Sequence, residues 1–189
     1  VARAVRAQMP SVRIIGHDAD PAVRARAVAL GICDDVTDTA GASVIDADLV
    51  ILCVPVGAMG AVAAEFAADL PADAIVSDVG SCKQSVVDAL TAVLPTATII
   101  PAHPVAGTEK SGPDAGFSTL FKGRWCILTP LPETDAGLVQ KATDVWAAVG
   151  AQVLKMTPEH HDAAFAAVSH LPHLLAFAYM NAMGEQPGG

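Results

Sequence analysis

The sequence contains few charged residues, and few of those are basic. Charged residues make up 16% of the 189 positions, and 11 lysines and arginines stand against 20 aspartates and glutamates, for a net charge of −9. No run of lysine or arginine occurs. Because phosphate contacts need a basic patch, we expect no nucleic-acid partner. A small anionic substrate remains compatible, since its site needs only a few local cations.

Cysteine is scarce, and the apolar run considered for a membrane span is short. The four cysteines, none in a C-x-x-C pair, are Cys33, Cys53, Cys82 and Cys126. This spacing favours reduced thiols over a secreted disulfide framework. The uncharged run from Leu49 to Ala64 is interrupted by Pro55 and Gly57, and a bilayer span takes ~20 apolar residues. With no signal-peptide pattern at the start, we expect a cytoplasmic protein without a membrane span.

Apolar residues make up 52% of the chain, but aromatic residues only 4%. Small side chains suit tight packing of helices on a sheet, and apolar runs alternate with helical patterns. We predict strands at Ser11–Gly16, Leu49–Val54, Ala74–Val79, Thr98–Pro101, Trp125–Thr129 and Ala151–Lys155. We predict helices at Val1–Met9, Asp20–Gly31, around Val62–Leu70, at Lys83–Leu94 and through Leu138–Val149. This alternation predicts an α/β, Rossmann-type, doubly wound and mainly parallel sheet.

The pattern changes after Lys155. Thr157-Pro158-Glu159 predicts a helix start, and a helical pattern follows to about Met183, interrupted by Pro172. We therefore assign residues 1–155 to a dinucleotide-binding domain and residues 156–189 to the beginning of a helical domain. We expect the kink at Pro172 either to aim Ser169 and His173 into a cleft or simply to break the helix.

The phosphate-binding motif G-x-G-x-x-G does not occur where a dinucleotide fold needs it, before the first helix. We therefore expect the first strand and the Gly-rich loop to precede Val1. A sheet without its central strand is expected to be unstable, so this fragment by itself should show no cooperative unfolding transition.

Polar segments follow the predicted strands at the edge where parallel sheets bind ligands. Asp18 follows the first strand in the pattern I-I-G-H-D. In a dinucleotide fold such a residue binds the adenosine ribose hydroxyls and favours NAD over NADP. The alternative is a carboxylate that caps a turn.

The segment from His103 to Gly112 is the most informative of these. A histidine directly after a strand, followed by a Gly-rich turn, can act as an acid or base near neutral pH, although such residues are often structural. Glu109 either orients a neighbouring group or binds substrate, or is a solvated loop carboxylate. Lys110 either neutralises an anionic substrate or is a surface lysine.

Several separated segments, in the same order, resemble prephenate and arogenate dehydrogenases, and cyclohexadienyl dehydrogenases most closely. They are HPVAGTEKSGPDAG (103–116) with LFKGRWCILTP (120–130), DVGSCK (78–83), TPEHHD (157–162) and SHLPH (169–173). The resemblance covers nearly the whole chain. It implies NAD-dependent oxidative decarboxylation of prephenate or arogenate in tyrosine biosynthesis. It also implies a homodimer formed through the helical domain.

The same resemblance implies roles for individual residues. His103 is the candidate catalytic histidine, which accepts a hydrogen bond from the substrate ring hydroxyl, and Ser81 lies near that hydroxyl and the nicotinamide. Candidate substrate-binding residues are Thr108, Glu109, Ser169, His170 and His173. Candidate cofactor-binding residues are Asp18, Val54, Pro55, Val56, Gly80 and Ser81. An arginine that binds the substrate carboxylate is expected beyond Gly189.

Other interpretations remain open at this point. A 3-hydroxyacid-type dehydrogenase shares the layout but uses a lysine in its second domain and lacks the HPVAGTEKSG segment. A non-catalytic NAD-binding regulatory module and a structural dimerisation protein are further alternatives. We expect no metal, because His170-x-x-His173 has no third ligand at a suitable spacing. His160-His161 is interpreted as a solvated first helical turn.

Overall fold

The computed structural model describes residues 1–107 and 111–184, apart from the side chains at 170, 173 and 182. Its strands are β1 (Ile15–Gly16), β2 (Asp35–Val36), β3 (Leu49–Leu52), β4 (Ile75–Asp78), β5 (Thr98–Ile99), β6 (Ala102–Pro104), β7 (Trp125–Leu128) and β8 (Gln152–Lys155). Its helices are α1 (Ala2–Gln8), α2 (Pro21–Ala29), α3 (Ala40–Val44), α4 (Met59–Phe66), α5 (Gln84–Val93), α6 (Ala136–Ala148), α7 (Pro158–Phe165) and α8 (Leu171–Gly184).

Strands β3, β4 and β5 form a parallel sheet in that order, and β1 pairs with β2 in parallel. Strands β6, β7 and β8 form a third sheet, in which β6 runs antiparallel to β7 and β8 runs parallel to it. Backbone hydrogen bonds link β4 to β7 through the segment between β5 and β6: Ile100 N–H donates to Val76 O at 2.9 Å, and Thr129 N–H donates to Pro101 O at 2.9 Å. The prediction of a mainly parallel, Rossmann-type sheet is confirmed.

His103 lies within β6, so the prediction that it directly follows a strand ending at Pro101 was wrong. Pro101 has no N–H, so it cannot extend the hydrogen-bond ladder with β4. The chain instead changes partner at this residue, and β6 pairs with β7, with His103 opposite Ile127. The change of partner gives His103 the fixed backbone of a strand.

The core lies on both faces of the sheet, as doubly wound packing requires. Ile75 of β4 packs in a cluster with Trp146, while its neighbour Val76 packs in a second cluster with Phe66 and Leu90. Since successive side chains of a strand point to opposite faces, β4 contributes to both clusters and all four of its residues are buried. This burial makes β4 a rigid support for whatever follows Asp78.

The starts of the helices were largely readable from the sequence. Asp20 caps α2 by accepting a hydrogen bond from Ala22 N–H, and Pro21 occupies the first turn, as predicted. Thr157 likewise caps α7, accepting from His160 N–H at 3.2 Å. The segment containing β2 and α3 was not predicted, because elements of 2 and 5 residues carry almost no periodicity.

The helical segment after residue 157 is irregular before Pro172 rather than at it. Residues Ala166–His170 form a π-helical turn between α7 and α8, and Pro172 is the second residue of α8. Proline cannot donate to the carbonyl four residues earlier, that of Val168, and its ring displaces that carbonyl. The wider π turn accommodates both effects.

The expectation of no membrane span took into account only Leu49 to Ala64 and missed this same stretch. The helix from Pro158 to Asn181 has 24 residues and is long and apolar enough, by length and composition alone, to cross a membrane. Large apolar side chains along it and just after it are exposed: Val168, Leu171, Leu174, Leu175, Phe177, Tyr179, Met180 and Met183. A surface of this kind marks a site of association with protein or lipid.

Candidate active site

Two of the turns that follow strands pack against each other at the carboxyl edge of the sheet. A side chain at Gly80, after β4, would place its Cβ 2.8 Å from Cγ2 of Val56, after β3, and 2.9 Å from Oδ2 of Asp78. Only glycine permits so close an approach. The cofactor candidates Val56 and Gly80 are therefore neighbours, although their sequence positions are far apart.

Asp18 follows β1 at an exposed position. Its Oδ1 accepts a hydrogen bond from Asp20 N–H at 2.9 Å, and its carbonyl accepts one from Arg24 at 2.7 Å. The carboxylate therefore stabilises the turn into α2 while remaining accessible to solvent. The two interpretations made from the sequence are compatible, and the binding of ribose by Asp18 stays a prediction.

Below this edge, Asp78 and Lys83 form an ion pair at 2.5 Å with both side chains fully buried. Asp78 Oδ1 accepts from Ala102 N–H at 3.1 Å, and Lys83 Nζ donates to Ala102 O at 2.8 Å. The pair thus binds both polar groups of the residue that precedes His103, and we name Asp78 and Lys83 the Ala102 clamp. Burial raises the pKa of Asp78, and the Lys83 ammonium opposes that rise.

The His103 ring is held by residues of α7. Its Nδ1 lies 2.8 Å from Nε2 of His161, and Nδ1 of His161 lies 2.7 Å from Oδ1 of Asp162. The ring of Phe165 stacks on His161, with centroids 4.5 Å apart, and contacts His103 at 4.7 Å. We name Asp162, His161 and His103 the histidine chain.

The interpretation of His161 as a solvated residue was wrong. His161 is 0% exposed, whereas its neighbour His160 is exposed. Successive residues of a helix point about 100° apart, so only one of two adjacent histidines faces the sheet. Pro158, His161 and Phe165 share a helical face, a spacing that could have identified His161 as the inward residue.

Asp162 connects α7 to the start of α5. Its carboxylate accepts hydrogen bonds from the backbone N–H groups of Lys83 at 2.7 Å and Gln84 at 2.9 Å. Partial burial raises the pKa of Asp162, but these two bonds and the bond from His161 outweigh it and hold the pKa below its usual value. One carboxylate therefore binds the end of the turn from Gly80 to Lys83 directly and the His103 ring through His161.

The other predicted site residues are placed as follows. Ser81 is exposed in the turn between β4 and α5, Pro55 is exposed, and Val54 is half-buried. Ser169 is half-buried in the π-helical turn. Thr108, Glu109 and the side chains of His170 and His173 lie outside the described residues. The roles of all these residues stay predictions.

Asp78, Lys83 and Asp162 were not predicted as site residues, and His161 was interpreted as solvated, although all four lie in segments that carry the family resemblance. Buried charges without partners are costly, so a carboxylate at the end of an apolar strand and a lysine five residues later could have suggested an ion pair. Nothing in the sequence shows that this pair encloses Ala102, because that contact joins distant segments.

A cavity of about 410 Å³ opens beside the loop that follows β6, lined by Val105, Gly107, Phe117, Lys122 and Arg124 among others. His103 is not among its lining residues. Across residues 1–107 and 111–184, no group of three His, Cys, Asp or Glu side chains is arranged to hold a metal ion.

A parallel sheet with helices on both faces and a glycine turn at its carboxyl edge is the layout of a nucleotide-binding α/β domain, which here leads into a helical segment. The family described as prephenate dehydrogenase, nucleotide-binding domain, matches residues 1–155. The family described as prephenate dehydrogenase, dimerization domain, matches residues 157–188. The chain belongs to the prephenate dehydrogenase family, which confirms the resemblance seen in the sequence.

Individual relatives agree with this assignment. A cyclohexadienyl dehydrogenase of Zymomonas mobilis is 47% identical over 93% of this chain and 60% of its own length. The structure of prephenate dehydrogenase from Aquifex aeolicus in complex with hydroxyphenyl propionate and NAD+ matches with a TM-score of 0.89 and 36% identity, over 100% of this chain and 69% of that one. The Synechocystis arogenate dehydrogenase matches with a TM-score of 0.87 and 26% identity, over 100% of this chain and 66% of that one. The chain thus spans about 60% of the Zymomonas relative's length.

Proposed function

We propose that the protein is an NAD-dependent dehydrogenase that oxidatively decarboxylates prephenate, arogenate or both, on the route to tyrosine. The proposal rests mainly on the placement of His103. Its ring and its backbone are both held in place close to Asp78, the last residue of β4. Family membership and the relatives that act on or bind such molecules support the substrate class.

The carboxyl edge fits a dinucleotide. Gly80 allows the turns after β3 and β4 to pack against each other, at the edge where parallel sheets bind nucleotides. Asp18 would hold the adenosine ribose, while Val54, Pro55, Val56, Gly80 and Ser81 would lie along the cofactor. NAD+, when bound, supplies the hydride acceptor.

His103 accepts a hydrogen bond from the hydroxyl on C4 of the substrate ring. As C4 loses its hydrogen with both electrons, His103 draws positive charge from that oxygen by sharing the hydroxyl proton. The carboxylate on C1 leaves as CO2, its bonding electrons make the ring aromatic, and the proton returns to the phenol oxygen. A placed base of this kind contributes roughly 10²–10⁴-fold to the rate.

The pocket and the assembly extend the proposal. Thr108 and Glu109 would shape the pocket from the loop after His103, and Ser169, His170 and His173 would line it from the helical side. The exposed apolar face of α8 and the match to a dimerization domain support a homodimer that covers this face.

The test follows NADH formation by the whole protein with prephenate and, separately, with arogenate. We expect turnover with at least one of them, and the ratio of kcat/KM values names the preferred substrate. His103→Asn should retain NAD+ binding and lose turnover roughly 10²–10⁴-fold. His160→Asn, which alters an exposed neighbouring histidine, should retain both. A folded protein that binds NAD+ but forms no NADH with either substrate would favour the 3-hydroxyacid or regulatory alternative.

A further inference from the structure

The histidine chain contains two residues, His161 and Asp162, for which the proposed reaction has no direct use. Neither residue is required to contact the substrate. His161 is nevertheless fully buried, and its two ring nitrogens form hydrogen bonds with His103 and Asp162. Burial of an imidazole in this position calls for a reason beyond packing, because an apolar residue would fill the space without a desolvation cost.

The order of the residues in the histidine chain determines which ring nitrogens carry a hydrogen. An ionised carboxylate only accepts hydrogen bonds, and the pKa of Asp162 is below its usual value. Nδ1 of His161 therefore carries the hydrogen that is donated to Asp162. In a neutral imidazole the other nitrogen is then an acceptor, so Nε2 of His161 accepts from Nδ1–H of His103. This leaves the lone pair of His103 on Nε2.

We infer that His161 and Asp162 are positioning residues, which hold His103 in the tautomer whose Nε2 is the base for the substrate hydroxyl. The inference rests on the proposed function for the identity of that hydroxyl. In water, free histidine prefers the opposite tautomer, with its hydrogen on Nε2. The histidine chain therefore holds His103 in the tautomer that free histidine disfavours.

The histidine chain also stabilises the positive charge that His103 gains during the reaction. Nε2 of His161 keeps accepting from Nδ1–H of His103 as the substrate proton moves toward His103, so no rearrangement is needed during the reaction. The ionised Asp162, two hydrogen bonds away, stabilises the charge on the rings. Its own position is fixed by Lys83 N–H and Gln84 N–H. The same logic operates in the acid–histidine arrangement of serine proteases.

The decisive variant is Asp162→Ala. In the wild type, Oδ1 of Asp162 accepts from both Lys83 N–H and Nδ1 of His161, and Oδ2 accepts from Gln84 N–H. Alanine removes this acceptor, so nothing then requires the hydrogen of His161 to lie on Nδ1. The fraction of His103 with its hydrogen on Nε2, where the base is needed, should therefore rise.

Two measurements on the whole protein test this inference. We expect the ¹⁵N ring resonances of His103, assigned by their loss in His103→Asn, to show the Nδ1–H tautomer in the wild type and a mixture of the two tautomers in Asp162→Ala. We expect kcat to fall in Asp162→Ala by up to about 10²-fold, because part of the protein keeps the active tautomer, with KM for NAD+ unchanged within a factor of about three. His161→Phe, which keeps a ring against Phe165, should lower kcat similarly and give a mixture of tautomers.

Asp135→Ala is the matched control. Asp135 caps α6 by accepting from Gly137 N–H and Leu138 N–H, so the variant loses a carboxylate that caps a helix far from His103. It should keep the wild-type tautomer and kcat. An Nε2–H tautomer in the wild type, or an unchanged tautomer and kcat in Asp162→Ala, would overturn the inference. Because the resonances are read without turnover, a protein inactive on both substrates still tests the tautomer and would refute only the proposed function.

Discussion

The Ala102 clamp and the histidine chain position His103 in different ways, the clamp through the residue before it and the histidine chain through its ring. The clamp is completely buried and binds the backbone just before His103, while the chain binds the ring and ends at Asp162, whose side chain is 30% exposed. The Ala102 clamp lies wholly within residues 1–155, which the nucleotide-binding domain matches. The histidine chain joins that region to the segment that the dimerization domain matches. Backbone position is therefore set within one domain, and ring chemistry depends on both.

The difference between the two clusters lies in what each needs in order to be stable. A fully buried pair is tolerated only while both charges are present, since removing one leaves the other without solvent or partner. A partly exposed carboxylate can turn to water when its partner is lost. We therefore expect changes in the clamp to act mainly on folding and changes in the chain mainly on chemistry.

The largest effect is expected from Lys83→Met. It removes the ammonium from the clamp and leaves Asp78 buried and unpaired, which should lower the free energy of unfolding by about 3–5 kcal/mol. Denaturant titration of the whole protein measures this loss. Lys141→Met, at an exposed position of α6, should change the free energy by less than about 0.5 kcal/mol.

The double variant Asp78→Asn/Lys83→Met sharpens that result. Asparagine removes the uncompensated charge and still accepts a hydrogen bond, so the double variant should be more stable than the sum of the single changes allows, by roughly 0.5–3 kcal/mol. Strict additivity would show that the two side chains do not act as a pair.

A smaller loss is expected from Gly80→Ala, which alters the turn whose N–H donates to Asp78 Oδ2 at 2.7 Å. The added methyl group would meet Val56 and Asp78 at under 3 Å, and overpacking of this kind costs about 1–3 kcal/mol. NAD+ binding should weaken together with stability. Gly57→Ala is the control, because a Cβ at that position has nothing within 4 Å; equal losses in both variants would contradict the prediction.

The histidine chain should contribute less to the free energy of unfolding than the Ala102 clamp does, and its contribution should depend on pH. Asp162→Asn should lower the free energy of unfolding by about 1 kcal/mol at neutral pH, because an amide carries no charge and offers one acceptor oxygen where the carboxylate uses two. Because the pKa of Asp162 is lower in the folded protein, this stabilisation is fully present above the unfolded pKa of about 4 and is lost as the pH falls through the folded value. Denaturant titrations from pH 7 to about pH 3 should show the two proteins converging. A difference that is independent of pH would contradict the ionised carboxylate.

The smallest effect is expected from Thr157→Ala, which removes the hydroxyl that caps α7. Thr39→Ala removes a matching cap from α3, and both hydroxyls accept a backbone hydrogen bond at 3.2 Å. Each variant should lose about 0.5–1 kcal/mol. Only Thr157→Ala should speed amide hydrogen exchange at His161, since His161 and Asp162 of the histidine chain lie in α7. Faster exchange at His161 in both variants would show that this exchange depends on the stability of the whole protein and not on α7 alone.

The sequence was sufficient for the architecture and for the family. Periodicity and helix caps such as Asp20 and Thr157 identified most of the alternation of strands and helices, because these signals depend on residues that are adjacent or one turn apart. The resemblance that identified His103 as the candidate base also rests on contiguous segments. Elements without such local signals, β2 and α3, were missed for the same reason.

The tertiary structure decided which residues surround His103. The sequence placed His161 in water, and only the packing of α7 on α5 and β6 brought its ring to Nδ1 of His103. The contacts of Asp162 with Lys83 N–H and of the clamp with Ala102 likewise join segments that are distant along the chain. Local sequence determines which segments favour a helix or a strand, because caps and side-chain periodicity depend on neighbouring residues. Which groups a buried polar side chain donates to or accepts from is decided only when distant segments pack together.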